Sequence, residues 1–279
     1  MRTTSTSDLW QADVLVRKTQ VSEGVSKADL TRLHILHAAA RQFADKPYPL
    51  VSLDDILTDA EVTKGALYFH FRSKHALAIA IIEQRWESSR LSVGEVLARR
   101  LSGLETLIDI SYLVAVEDVC DTIARAGLNL IESIGRADGI GQRIIGSWVD
   151  GFTEIGRRAL TDGDITADTE PNAVATLLVS MYLGLRQAST LDEPTRLLSD
   201  LERNWRLALP GFAEPERLSY FTQFSRRRCA LAIRKAAAAL GETPATDPRA
   251  QSDDAGKETP HGTASAIRGD STANHRRGR

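Results

Sequence analysis

Several features are scarce in this chain of 279 residues, and each scarcity removes a class of function. No run of about eighteen apolar residues occurs: the longest near-apolar stretch, Ala173 to Leu185, is too short to span a bilayer. The opening MRTTSTSDLW lacks the apolar core of a signal peptide. A cytoplasmic protein with no membrane partner is therefore expected. Only two cysteines are present, Cys120 and Cys229, far apart and beside no metal-ligand pattern, which points to a reducing compartment and a packing role. The six histidines are scattered. A Gly-rich phosphate loop following a strand, a nucleophile elbow, paired carboxylates at cleft spacing and a metal-ligand spacing are all missing. The chain reads as no enzyme and as holding neither metal nor cofactor. Positive charge is also short: the net charge of −2 removes any argument for nucleic-acid binding from bulk charge, so a DNA surface would have to be local.

What is present is helical. Between about Lys27 and Leu240 apolar residues recur with a 3.6-residue period, and alternating β-branched runs bounded by hairpin turns are wanting, which gives an all-α fold. Residues 1–26 are polar and weakly patterned. Beyond Gly241 the chain is rich in Pro, Gly, Ser, Thr and Asp with little to bury, the composition of a disordered tail. The first helix should carry Leu33, Leu36, Ala40 and Phe43 inward and stop by Asp45, because the residue before Pro47 is held out of the α region. Ser52 with Asp55 makes a capping-box-like start for a second helix of about nine residues, with Leu53, Ile56, Leu57 and Ala60 as its stripe. After a break at Ala60, Glu61 and Val62, Thr63 opens a third helix, and Ser73 caps a long fourth one reaching toward Arg99. Two short helices joined by a tight turn and clamped by longer ones make a helix-turn-helix.

The third helix reads as a DNA reader. Leu67 and Phe71 lie four apart and pack inward, leaving Thr63, Lys64, Ala66, Tyr68 and His70 outside. Thr63 and Lys64 stand at the helix start, where base edges are reached and where free N–H groups favour phosphate. Gly65 lets the backbone approach closely. Tyr68, His70 and Lys74 are placed to bond phosphates and fix register, and Ser52 completes the DNA-facing set from the second helix. No acid occurs from Thr63 to Lys74, which carries Lys64, Arg72 and Lys74; the preceding Ser52 to Glu61 carries Asp54, Asp55, Asp59 and Glu61.

The string VTKGALYFHFRSKHALA resembles the recognition-helix signature of the TetR family of repressors, and T-K-G-A-L-Y-F-H-F resembles its γ-butyrolactone-receptor branch. The resemblance runs over about residues 27–212. It departs at Glu61, where the family usually has Gly with positive φ, at Pro47-Tyr48 in place of Gly-Tyr, and at His75 in place of Glu. It implies a flexible arm (1–26), a DNA-binding domain (27–73), a helical ligand-binding and dimerisation domain (74–240) and the tail (241–279). RAGLNLIESIG (125–135) and the helical stretch 141–165, with Trp148 fifteen residues before Gly163, are similar to that branch, in which this Trp lines the ligand cavity. Trp86, Ile131 and Ile145 are the further lining residues implied, although each also fits a plain core. The segment 171–189 is apolar on most sides and should be buried all round. Leu197, Leu201, Trp205 and Leu209 recur every four residues in 193–212, and 215–240 reads as one more amphipathic helix. The resemblance places a four-helix dimer interface on 171–189 and 193–212, with Leu178, Tyr182, Leu201 and Trp205 as its residues; an intramolecular bundle is the alternative. It implies a homodimeric repressor of operator double-stranded DNA, released by a small lipophilic signal such as a γ-butyrolactone, furan or butenolide. The alternative is a pseudo-receptor governing antibiotic-pathway genes and answering to an antibiotic or to no ligand.

Overall fold

The computed structural model describes residues 26–135 and 139–241; the N-terminal arm up to residue 25 and the tail beyond 241 lie outside the described residues. Helix α1 (Lys27–Asp45) opens on a capping box in which Ser26 Oγ accepts the Asp29 N–H at 3.1 Å while the Asp29 carboxylate accepts the Ser26 N–H. It stops where expected, with Lys46 extended at φ −126°, ψ 142° before Pro47. Its buried face is Ile35, Leu36, Ala39, Ala40 and Phe43. Leu33, expected inward, is 42% exposed. At 100° per residue it stands roughly 90° round from the centre of that face.

A short 3-10 turn (Tyr48–Leu50) leads to α2 (Leu53–Asp59), two residues shorter than the nine expected. Then come α3 (Lys64–His70) and the long α4 (Lys74–Leu97). Ser52, Thr63 and Ser73 are the respective N-caps, each hydroxyl accepting the N–H three residues on. The sensor part follows as α5 (Gly103–Cys120), α6 (Thr122–Ser133), α7 (Ile140–Thr161), α8 (Pro171–Ala188), α9 (Pro194–Ala208) and α10 (Leu218–Leu240). No β-strand occurs among the described residues, so the fold is all-α.

The helix buried on all sides is α5 rather than 171–189. Thirteen of the eighteen α5 residues are buried, and such a helix has no polar face to give it a periodic signature. Helix α8 instead leaves Ala173, Leu177, Ser180 and Gly184 uncovered along one side. Helix α10 packs on both α5 and α9 through Phe221, Ser225, Cys229, Ala232 and Ala236. It thereby seals Leu197, Leu201, Trp205 and Leu209, all at 0% exposure. The intramolecular alternative holds for these residues.

Two apolar cores result. One joins α1 to α4 with α6 and α7: Leu36, Phe43, Leu67 and Ile81 share it with Leu128, Ile131 and Ile144. The other joins α5 with α8, α9 and α10 around Leu107, Leu178, Leu201 and Trp205. The first core crosses residue 73, so the helix-turn-helix rests on α6 rather than standing alone.

Candidate nucleic-acid interface and sensor site

The turn between α2 and α3 passes through Glu61 at φ 50°, the non-glycine residue of positive φ among those described. The tight turn thus persists without the glycine, held by Glu61 N–H to the Thr58 carbonyl at 3.3 Å and Val62 N–H to the Leu57 carbonyl at 3.3 Å. An L side chain in this region costs about 1–2 kcal/mol. Helix α2 is tied to α1 by Arg41, whose Nη2 donates to Asp59 Oδ1 at 2.8 Å, and by Gln42 Nε2 to Asp59 Oδ2 at 3.2 Å. The Arg41 guanidinium holds the Asp59 carboxyl below its ordinary value, and the Ser52 cap does the same for Asp55.

From this base α3 presents its outer face. Leu67 is fully buried and Phe71 nearly so. Thr63, Lys64, Gly65 and Tyr68 are exposed, Ala66 and His70 half-buried, and Ser52 is exposed at the start of α2. A Cβ placed on Gly65 would meet nothing nearer than Thr63 Oγ1 at 3.9 Å. No packing contact among the described residues calls for glycine there, although glycine costs a helix about 1 kcal/mol.

Lys74 departs from the reading as a phosphate contact. Its Nζ donates to the carbonyls of Tyr48 at 2.9 Å and Val51 at 2.8 Å and lies 4.3 Å from the centre of the Tyr48 ring. The ammonium thus fastens the 48–51 connector to the head of α4. Phe69 is a residue that pattern reading passed over: it is 80% exposed, edge-on to His70 with ring centres 5.0 Å apart. The helical wheel carried the signal, because a residue two places from both Leu67 and Phe71 lies about 200° from each.

In the sensor part the structure brings Trp86 of α4 and Trp148 of α7 together as a stack with ring centres 6.4 Å apart. Ile131 is buried in the same core, with Ile145 packed against it. Tyr182, expected at an interface, instead donates its hydroxyl to Asp118 Oδ2 at 2.9 Å inside the chain. Burial and that carboxylate push the phenol well above its ordinary value. Leu178, Leu201 and Trp205 are core residues, as α10 requires.

Asp118 anchors a buried polar chain that the sequence pattern did not reveal. Arg186 Nε and Nη2 both reach Asp118, at 2.6 and 3.2 Å, its Nη1 reaches Glu132 at 2.6 Å, and Nη2 also donates to Asn129 Oδ1 at 2.8 Å. Asn129 Nδ2 in turn donates to the Phe43 and Ala44 carbonyls, both at 3.1 Å, at the end of α1. These carbonyls sit in the last turn of α1, where intrahelical donors run out. A continuous hydrogen-bonded path therefore runs from α8 and α5 through α6 to the helix-turn-helix. Beside it an open cavity of ≈ 450 Å³ is lined by Tyr48, Asn129, Glu132 and Gln187 among others.

Residues 35–81 match the family model of bacterial regulatory proteins, tetR family. The A-factor receptor protein of Streptomyces griseus is 30% identical over 192 residues, spanning 68% of this chain and 66% of that protein, about two thirds of its length. A solved γ-butyrolactone receptor described as ArpA-like superposes with a TM-score of 0.61 at 27% identity, covering 74% of this chain and all of that one. CprB from Streptomyces coelicolor, solved with its biological operator sequence, gives 0.63 at 29% identity over 72% of this chain and 98% of that one. These relatives are regulators, not enzymes.

Proposed function

Since the chain belongs to the TetR family of bacterial regulatory proteins, in the branch of the γ-butyrolactone receptors, we propose that it is a homodimeric repressor that reads operator DNA with α3 and lets go when a small lipophilic molecule occupies the sensor part. The observation that carries the reading is the outer face of α3, where exposed Thr63, Lys64, Gly65, Tyr68 and Phe69 stand together with no acid between residues 62 and 78. Thr63 and Lys64 reach base edges; Tyr68, Phe69 and His70 contact sugar and phosphate. Two copies carry two such helices, and a spacing of about 34 Å sets them on successive major grooves of a pseudo-palindrome.

Leu178, Leu201 and Trp205 are spent on the core, so the self-association face proposed here is the uncovered side of α8, with Ala173, Leu177, Ser180 and Gly184. A γ-butyrolactone, furan or butenolide enters at the Trp86–Trp148 stack. It binds better when α4 has swung, and by linkage it weakens operator binding by the factor by which operator weakens its own. The pseudo-receptor reading keeps the DNA face and loses the hormone. It is favoured by one observation: the two indoles lie stacked on each other, with ring centres 6.4 Å apart.

The deciding experiment is fluorescence anisotropy of the purified chain on its own upstream DNA at two salt concentrations, with and without a synthetic γ-butyrolactone. Tight, salt-sensitive binding abolished by the lactone supports the receptor. Binding indifferent to lactones but released by an antibiotic supports the pseudo-receptor. Failure to select any duplex from a random library removes the repressor reading.

A further inference from the structure

Away from the tryptophan stack, a smaller cavity of ≈ 100 Å³ opens between the end of α4, the middle of α5 and the last half of α10. Its polar part is unusual in charge. Asp109, 2% exposed, accepts from Arg99 Nη1 at 2.7 Å through one oxygen and from Arg228 Nη2 through the other. Both oxygens of a single buried carboxylate are thus used by two guanidinium groups, and Lys235, one helical turn pair beyond Arg228 on α10, lines the same cavity. Among the lining residues three cations stand against one anion, and the Glu202 carboxylate acts on Tyr112 and Cys229 from outside the lining. Arg228 Nε is in addition buried with no hydrogen-bond partner, a cost that polar groups normally avoid. Burial and the charge of Arg99 lower the Arg228 pKa from its ordinary value, as expected of a cation short of anions.

The rest of the wall is Val96, Tyr112, Leu113, Val116, Leu231 and Ala232, apolar but for the Tyr112 hydroxyl, which is hydrogen-bonded to Ser225. The register is regular, because residues 109, 112, 113 and 116 share one face of α5 and 228, 231, 232 and 235 share one face of α10. The volume is that of roughly three water molecules at about 30 Å³ each. We infer that this cavity is a binding site for a short-chain monocarboxylate, its head paired with Arg228 and Lys235 and its alkyl end against Val96, Leu113 and Val116. Asp109 does not repel it, since its own charge is consumed in orienting the two arginines. Inorganic phosphate would find the cations but leave the apolar wall wet, and a neutral alcohol would find the wall without a counter-charge. The site is independent of the tryptophan stack and does not rest on the DNA-binding reading.

The test is isothermal titration and thermal unfolding of the full chain with sodium butyrate, against sodium chloride at equal ionic strength, sodium phosphate and 1-butanol. The expected result is saturable butyrate binding with a raised Tm, weakened about tenfold or more in Lys235→Gln, and not matched by phosphate or butanol. Lys235 is exposed, so that variant keeps the fold; Arg228→Gln is the stronger probe but removes a partner from buried Asp109. Butyrate that fails to saturate, or that binds Lys235→Gln and Arg228→Gln as well as the parent, overturns the site. Phosphate binding as tightly as butyrate overturns the carboxylate assignment.

Discussion

Lys64 and Glu61 stand three residues apart and put different demands on the chain. Lys64 is exposed at the first turn of α3, a helix that carries no acid, so truncating it touches recognition and little else. Lys64→Ala should weaken operator binding by about 1–3 kcal/mol with an unchanged unfolding curve; unchanged affinity in an anisotropy titration would remove it from the interface. Glu61 holds a left-handed conformation, and its exposed side chain is free to go. Glu61→Gly should raise stability in urea by about 1 kcal/mol, the relieved strain less the added chain entropy of glycine. A lower midpoint would mean that the glutamate itself holds the turn. Both residues were legible in the sequence: Lys64 from its place after the Thr63 cap, and Glu61 from standing where a positive φ is wanted. Lys74 was not, because its hydrogen bonds to Tyr48 and Val51 are made with a connector some 23 to 26 residues earlier, and no local pattern encodes such a pairing.

Helices α1, α2 and α6 form the seam on which α3 is carried. Asn129 on α6 ties the end of α1 to the Arg186–Asp118 pair. Replacing it by alanine strands two carbonyls and one guanidinium N–H. Asn129→Ala should lower stability by about 1–3 kcal/mol and blunt ligand-induced release more than it weakens operator binding. Release with a parental midpoint would show that the signal travels by α4 alone. The α1–α2 contact carries a pH signature. Asp59, paired with Arg41, and Asp55, bonded to the Ser52 cap, both have carboxyls lowered from the ordinary 3.8. Their stabilisation is whole above that value and is lost as pH falls through the lower folded values. Hydrogen exchange of α2 should therefore accelerate below about pH 4 in the parent, with that acid step reduced in Asp59→Asn; an undiminished step in the variant would show that the seam does not depend on this carboxylate. The capping boxes at Ser26 and Ser52 follow from adjacent residues. The Asn129 clamp, spanning 85 and 86 residues, does not.

For the whole molecule the decisive question is which face meets a second copy. The uncovered side of α8 combines Ala173, Ser180 and Gly184, which allow close helix approach, with Leu177 at 45% exposure. A charge at its centre would have to be buried unpaired in a dimer. Leu177→Lys should therefore yield a folded monomer by light scattering that no longer shifts a two-half-site duplex. A persistent dimer would move the interface elsewhere.

The residue order by itself determined the all-α class, the caps that open the second, third and fourth helices, the stop of the first, and most of the outward face of α3. These follow from caps, prolines and a 3.6-residue period, which are interactions between near neighbours. Only the tertiary structure decided that α5 is the helix buried all round, that α10 covers Leu201 and Trp205 and so removes them from any interface, and that Arg99, Asp109, Arg228 and Lys235 share one cavity. A periodic apolar stripe states that a face must be covered. It does not state by what, because a helix of the same chain and a helix of a second copy exclude water equally well.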